Sequence, residues 1–265
     1  MQKTPIYFPT IDKEINIFHN EYNIDDISKY TPLVTTLENL YSQNGIINYY
    51  NGRLDSITVN KIIKFNNNIG FVLMDFNIFD EDNNKIPGIV FSRNNSVSIL
   101  ATSFYKGKEY ALIITQPRTS IGLIYNEIVA GIIENNNIKG SIINELKEEA
   151  GINIDINKLN YLGNTIPSCG ACNETIELYH TFIPDMVNLV NNSNNNVFGN
   201  SSENEKTKRK VILLDDILKC TNDSKSHISY FYYKSNLSMR LFVLFEYLKY
   251  LFYYFLSNNE MAKAL

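Results

Sequence analysis

Ala130–Ile152 reads AGIIENNNIKGSIINELKEEAGI, and the reading of this stretch decides the fold. Ile142, Ile143, Leu146 and Ala150 fall on one stripe at helical spacing, so the second half predicts a helix over Gly140–Ala150. Gly151 stands where a left-handed stop would end it. Glu145, Glu148 and Glu149 share a different face, at i, i+3 and i+4. Three carboxylates so placed repel by roughly a few tenths of a kcal/mol per pair, and Lys147 points to another side. Two readings follow. The acids form a solvated face of a surface helix, or a divalent cation turns the repulsion into ligation. Hard cations such as magnesium prefer carboxylate oxygens and keep part of their water.

Asn144–Ile152, NELKEEAGI, resembles the end of the Nudix box, whose pattern is G-x5-E-x7-R-E-U-x-E-E-x-G-U with U aliphatic. Glu145, Leu146, Glu148, Glu149, Gly151 and Ile152 match, and Gly131 resembles the opening glycine. The arginine position holds Asn144, the early glutamate position falls in Asn136–Asn137, and the spacing from Gly131 to Asn144 is one residue short. In the family that arginine helps to orient the ligating glutamates.

The likeness extends outside the box. Lys85–Leu100 (KIPGIVFSRNNSVSIL), Ala111–Gly122 (ALIITQPRTSIG) and Asn126–Ile133 (NEIVAGII) are similar to parts of the nucleoside-diphosphate-sugar hydrolases of the family, the ADP-sugar and ADP-ribose diphosphatases. Pro167 lies 16 residues beyond Gly151, as a proline does in those enzymes, and Thr165–Glu174 (TIPSCGACNE) is similar to their substrate loop. The resemblance covers roughly residues 70 to 256.

It implies an α/β/α sandwich with a mixed sheet over residues 98–265, and a smaller N-terminal α+β domain over 1–97 through which the chain dimerises. It implies magnesium, with manganese possible, held by the Ala130 carbonyl, Glu145 and Glu149, with Glu148 sharing or orienting an ion. Arg118 would contact the diphosphate or the distal sugar, and Glu127 would edge the nucleotide pocket. Glu174 would close the substrate loop, with Pro167, Gly131 and Arg93 also at the substrate. A loop glutamate, Glu203 or Glu205, would act as base. The implied reaction hydrolyses an ADP-sugar or ADP-ribose to AMP and a sugar phosphate. The alternatives are an inactive Nudix-fold nucleotide-binding module, motivated by Asn144, and a hydrolase for UDP-sugars or another nucleoside diphosphate derivative.

Composition agrees with a folded protein, at 44% hydrophobic and 12% aromatic residues. A net charge of −4 and a pI near 5.5 leave no electrostatic footprint for nucleic acid. Three cysteines, Cys169, Cys172 and Cys220, with no apolar leader in MQKTPIYFPTIDKE, point to a reducing, cytoplasmic setting. The Cys169-Gly-Ala-Cys172 pair reads as ordinary loop thiols. Leu241–Leu256 is interrupted by Glu246 and Lys249 and is shorter than the roughly 20 residues a bilayer needs. It reads as a buried C-terminal helix, with Phe242, Phe245, Phe252 and Phe255 as a core or dimer stripe.

Elsewhere, Ile24–Gln43 predicts one or two helices, the second starting near Pro32. Phe71–Phe79 and Ile86–Phe91 predict a hairpin across Asp80–Asn84. Ser96–Phe104, Tyr110–Thr115, Glu127–Gly131, Asn160–Ile166, Thr175–Ile183 and Val211–Leu214 predict strands. Asp215–Lys219 predicts a short helix and Ser238–Ser257 a long one. The Asn-rich segment of about 185–210 reads as a polar, partly mobile insertion.

Overall fold

The computed structural model describes residues 1–20, 24–65, 68–134, 136–192, 197–200 and 205–258. The chain divides into two compact units. One is Met1–Asn95 with Ile166–Thr175, and the other is Ser96–Thr165 with Ile176–Leu265.

The first unit is a six-stranded sheet closed by helices on one face. Strands β1 (Gln2–Phe8) and β2 (Lys13–His19) form an antiparallel hairpin. β2 then runs parallel to β3 (Arg53–Phe65). Parallel neighbours need a crossover, and α1 (Ile24–Ser28), α2 (Thr31–Tyr41) and α3 (Ile46–Tyr49) supply it. Pro32 sits in the first turn of α2, where its missing N–H costs nothing. Leu33, Leu37 and Leu40 of α2 are buried in a core with Ile17, Ile57 and Met74. β3 pairs antiparallel with β4 (Asn68–Phe79), and β4 carries β5 (Lys85–Ile86) and β6 (Ile89–Arg93) on its other edge. The first hairpin and the length of β3 go beyond the sequence reading.

The second unit is an α/β/α sandwich around a mixed seven-stranded sheet. Its strands are β7 (Ser96–Tyr105), β8 (Lys108–Arg118), β9 (Leu123–Glu127), β10 (Val129–Ile132), β11 (Asn160–Thr165), β12 (Ile176–Phe182) and β13 (Lys208–Leu213). The main path is β11-β12-β7-β8-β13, with β10 on β7 and β9 on β8. β12 and β7 are parallel and the other pairs antiparallel. Both faces of β7 are covered, which explains its near-continuous burial. On one face α4 (Ile138–Ala150) sets Ile142, Leu146 and Ala150 against Val97, Ile99 and Ile114. α5 (Met186–Asn191) adds Met186 and Val190 to the same core. On the other face α6 (Ile217–Cys220), α7 (Ser224–Ser235) and α8 (Leu237–Asn258) set Ile217, Tyr233 and Val243 against Leu100, Ile113 and Phe182.

That second core has a polar inclusion. His180 is fully buried, its Nε2 lies 2.9 Å from Thr102 Oγ1, and its ring stacks on Tyr233 with centroids 4.5 Å apart. Nδ1 of His180 is buried without a partner, and burial pushes the imidazole pKa down to about 3. The Tyr233 hydroxyl donates to the Glu109 carboxylate, and burial together with that carboxylate raises its pKa.

Two expectations need correction. The long C-terminal helix is not buried: Phe242, Phe245, Phe252 and Phe255 are each at least 50% exposed, so they are not core. Val243 is fully buried, and Met239 and Tyr247 pack partly against the second core. The segment about 185–210 is also not merely a polar insertion, because α5 lies within it and buries Met186, Val187 and Val190.

Candidate active site

The site is built where β10 meets α4. Asn137 caps α4, its side chain accepting from the Gly140 N–H at 3.1 Å, so the segment matching the early glutamate position serves the helix start. Gly151 ends α4 in the left-handed region (φ 62°, ψ 29°), which an L side chain rarely adopts. Gly131 of β10 is required for a different reason. A Cβ there would collide with the Glu145 carboxylate, so only glycine lets that side chain lie over the strand.

The C-terminal half of α4 is held by the chain before β13. The Gly199 N–H donates to the Glu148 carbonyl at 2.7 Å, and Thr207 Oγ1 donates to the Glu149 carbonyl at 2.7 Å. Arg209 reaches the Ala150 carbonyl. Phe198 and Thr207 exchange backbone hydrogen bonds, and the Phe198 ring fills the space beside Gly151. This docking brings Asn200 and Glu205 to the helix. The result is a small, open polar cleft lined by Ile132, Glu134, Ser141, Asn144, Glu145, Glu148, Asn200 and Glu205. Four carboxylates from three segments therefore face one space.

Glu149 lies beneath it, 2% exposed. Its carboxylate accepts from Gln116 Nε2 at 3.1 Å and from the Ala130 N–H at 3.2 Å. Burial raises its pKa to about 8; the Ala130 hydrogen bond opposes the rise, and Glu127 and Glu205 add to it. With no cation beside it, burial favours the protonated form of this carboxyl.

Arg118 and Glu127 form a bidentate pair, with Nε–Oε1 2.7 Å and Nη2–Oε2 2.9 Å. Glu127 also takes Lys225 Nζ at 2.5 Å, and Lys225 bonds Asp223 at 3.0 Å. Burial alone would raise the Glu127 pKa, but Arg118 and Lys225 outweigh it and hold the carboxyl below its usual range. Glu127 is thus buried and committed to two cations. Arg118 keeps about two-fifths of its side chain exposed and feels the charges of Glu149 and Glu205.

Arg93, Pro167 and Glu174, expected at the substrate, lie in the first unit. Arg93 Nε is 3.5 Å from Glu174 Oε2, and its guanidinium lies over the Phe71 ring. Pro167 is exposed in the same loop, which is pinned by Ala171 accepting from the Phe91 N–H at 2.8 Å and by Asn173 donating to the Pro32 carbonyl at 3.2 Å. Glu203 lies outside the described residues. Cys169 and Cys172 are free thiols in this loop, and Cys220 is free in the second unit.

The donor chemistry fits a hard divalent cation: carboxylates with an open, polar, solvent-reached cleft. Among the described residues no three acids, histidines or cysteines are yet close enough to hold a metal as they stand. Side-chain rotation of Glu145, Glu148 and Glu205 would be needed to close a ligand set. Glu134, Asn200, Gln116, Asp223 and Lys225 were missed from the sequence. Only Gln116 left a signal: it shares a strand face with Ile114 and Arg118 at a spacing of two.

No family model matches the chain. It is 30% identical over 155 residues to Nudix hydrolase 14, chloroplastic, of Arabidopsis thaliana, a match that takes in 54% of this chain and 50% of that protein. The chain thus spans about half the length of the curated relative it matches. A solved structure described as an ADP compounds hydrolase superposes with a TM-score of 0.54 at 12% identity, over 71% of this chain and 95% of that one. The chain therefore resembles a Nudix hydrolase in sequence and shares the fold of an ADP compounds hydrolase.

Proposed function

We propose that the protein is a divalent-cation-dependent Nudix hydrolase that cleaves the diphosphate bond of a nucleoside diphosphate sugar of the ADP-ribose or ADP-glucose type, releasing AMP and a sugar phosphate. One observation carries this reading. Glu145 and Glu148 of α4 meet Glu134 and Glu205, from two other segments, in a single cleft, above a glycine that leaves room for a carboxylate. A surface helix with a merely solvated acidic face needs none of these arrangements.

Glu145, Glu148 and Glu149, with the Ala130 carbonyl, are the residues that would hold the cation. When bound, such an ion neutralises phosphate charge and lowers the pKa of an attached water. The chain's own groups do the rest. Gln116 and the Ala130 N–H fix the Glu149 carboxylate, a task that in the resembling family falls partly to the arginine replaced here by Asn144. Glu127 holds the Arg118 fork, and the exposed part of that guanidinium suits a diphosphate oxygen. Glu205, which lines the cleft, is the group we assign to accept a proton from water.

The test is AMP release from ADP-ribose and from ADP-glucose with magnesium or manganese, against a Glu149→Gln control. Absence of release above that control, with both metals, removes the proposal. A second reading, a nucleotide-binding module without turnover, is favoured by Asn144 and by the open spacing of the acids. Calorimetry separates the two: nanomolar or micromolar binding of ADP-ribose without product supports the module.

The acidic balance of the chain fits a small-molecule substrate reached through cations, not nucleic acid. Among the described residues no helix is long and apolar enough to cross a membrane.

A further inference from the structure

α8 runs 22 residues and offers two separate apolar stripes. Met239, Val243 and Tyr247 face the body of the second unit and contribute to its core. The other stripe, more than 100° round the helix by residue spacing, is Leu237, Leu241, Leu244, Leu248, Leu251 and Phe255. The intervals are 4, 3, 4, 3 and 4, the a/d repeat of a coiled-coil seam. Each of the six is 40–67% exposed.

We infer that this stripe is a self-association surface, on which α8 of a second copy of this chain packs antiparallel.

Four observations favour that occupant. A seam of alternating a and d positions is self-complementary under a two-fold axis. Antiparallel pairing about the middle of the helix puts Leu241 of one copy on Leu251 of the other, Leu244 on Leu248, and Leu237 on Phe255. Every seam residue then has an apolar partner. The stripe itself holds no charged residue: Arg240 flanks it near one end, and Glu246 and Lys249 pair with each other at 2.8 Å away from it.

The area suffices. With Phe245 and Phe252 on its flank, the stripe leaves roughly 800 Å² of apolar side chain exposed per copy, taking about 200 Å² for a full side chain. That is close to what each partner contributes to a standard interface, about 800 Å².

Orientation follows from where the body sits. Each body holds the N-terminal half of α8 through Met239, Val243 and Tyr247. Antiparallel pairing sets the two bodies at opposite ends, whereas parallel pairing would crowd them.

A lipid surface is the weaker occupant. Surface-seeking helices carry a polar face rich in lysine and arginine, whereas α8 has Arg240 and Lys249, the latter neutralised by Glu246. The proposal is independent of the catalytic reading.

Sedimentation equilibrium of the full chain at micromolar concentration tests it. The expected result is a species of twice 30.5 kDa. Leu241→Glu, at an exposed position, weakens association at least about tenfold while leaving the far-ultraviolet circular dichroism unchanged. The double variant Leu241→Glu/Leu251→Lys restores it, because each new glutamate faces a new lysine of the other copy. A monomer at these concentrations overturns the proposal, as does a dimer indifferent to Leu241→Glu. Failure of the double variant to recover rules out the antiparallel register. Binding to phosphatidylserine vesicles that is lost in Leu241→Glu, without self-association, assigns the stripe to a membrane surface instead.

Discussion

Lys225 carries the sharpest stability prediction. It lies in α7 with its ammonium 2.5 Å from the buried Glu127 carboxylate and 3.0 Å from Asp223. Glu127 is 2% exposed, and its other partner is Arg118. Lys225→Met keeps the stem and removes the charge, leaving two carboxylates with one fewer cation. Breaking a buried pair from one side costs about 3–5 kcal/mol. Arg118 remains bidentate on Glu127, so the lower end, about 3 kcal/mol, is expected. Glu127→Gln takes the carboxylate from between Arg118 and Lys225, leaving Lys225 with Asp223 alone, and should cost a similar amount. The double variant removes both halves of the broken interaction. Its cost should fall below the sum of the singles by about 1.5–3 kcal/mol, as coupled neighbours do. Urea unfolding of the four proteins at neutral pH gives the cycle. Additivity within about 0.5 kcal/mol would refute the reasoning. Kinetics on ADP-ribose adds a functional arm. Glu127→Gln frees the Arg118 fork and should raise KM, while Lys225→Met, measured where it is still folded, should leave KM within about threefold, a change worth less than 1 kcal/mol.

Three further outcomes can be checked. Gly131→Ala should move stability by less than about 1 kcal/mol, because the obstructing Glu145 carboxylate is the free end of a flexible side chain, yet turnover should fall at least about tenfold as that carboxylate leaves the cleft. His180 has its folded-state pKa depressed to about 3 from an ordinary 6.5, so the unfolded chain binds the proton more tightly, and stability is lost as pH falls below 6.5. The loss should reach about 2 kcal/mol by pH 5, and His180→Phe should lack that part of the acid slope in denaturant titrations. Glu149 has the opposite sign: its folded pKa of about 8 lies above the ordinary 4.5, so metal-free protein loses stability as pH rises from about 4.5 through 8. Glu149→Gln should flatten that limb, and an unchanged slope would show that the carboxyl is already ionised.

The helix at Gly140–Ala150 was legible because the apolar stripe, the acidic face and the left-handed stop agree with one another. The central strands were legible as apolar runs, and their burial on both faces is why. The family resemblance was carried by the same helix; it singled out Glu145, Glu148 and Glu205, which line the cleft, but not Glu134. The β1–β2 hairpin was not legible, since its alternation is short and mixed with lysines and threonines. Lys225 was invisible for a different reason. A lysine in SKSHISYFYYKS carries no local mark of burial, and its partner is 98 residues away. The same holds for Asn200, which reaches the cleft only because Gly199 and Thr207 bind the end of α4; Glu205 arrives by the same docking, but the resemblance had already singled it out. The C-terminal helix was misjudged because a sequence of leucines and aromatics states that a face must be covered, not that the same chain covers it.

The loop Ile166–Thr175 joins β11 to β12 but packs with the first unit, so the polypeptide passes between the units at three points: Asn95–Ser96, Thr165–Ile166 and Thr175–Ile176. No single cleavage separates them cleanly. A shortened chain beginning at Ser96 would strand Asn173 without the Pro32 carbonyl and Thr36, and Thr175 without Asn95. Dissecting this protein by truncation would therefore damage the piece that is kept, whereas replacing the ten-residue excursion by a short turn between Thr165 and Ile176, already paired neighbours, would leave both halves of the hairpin in register.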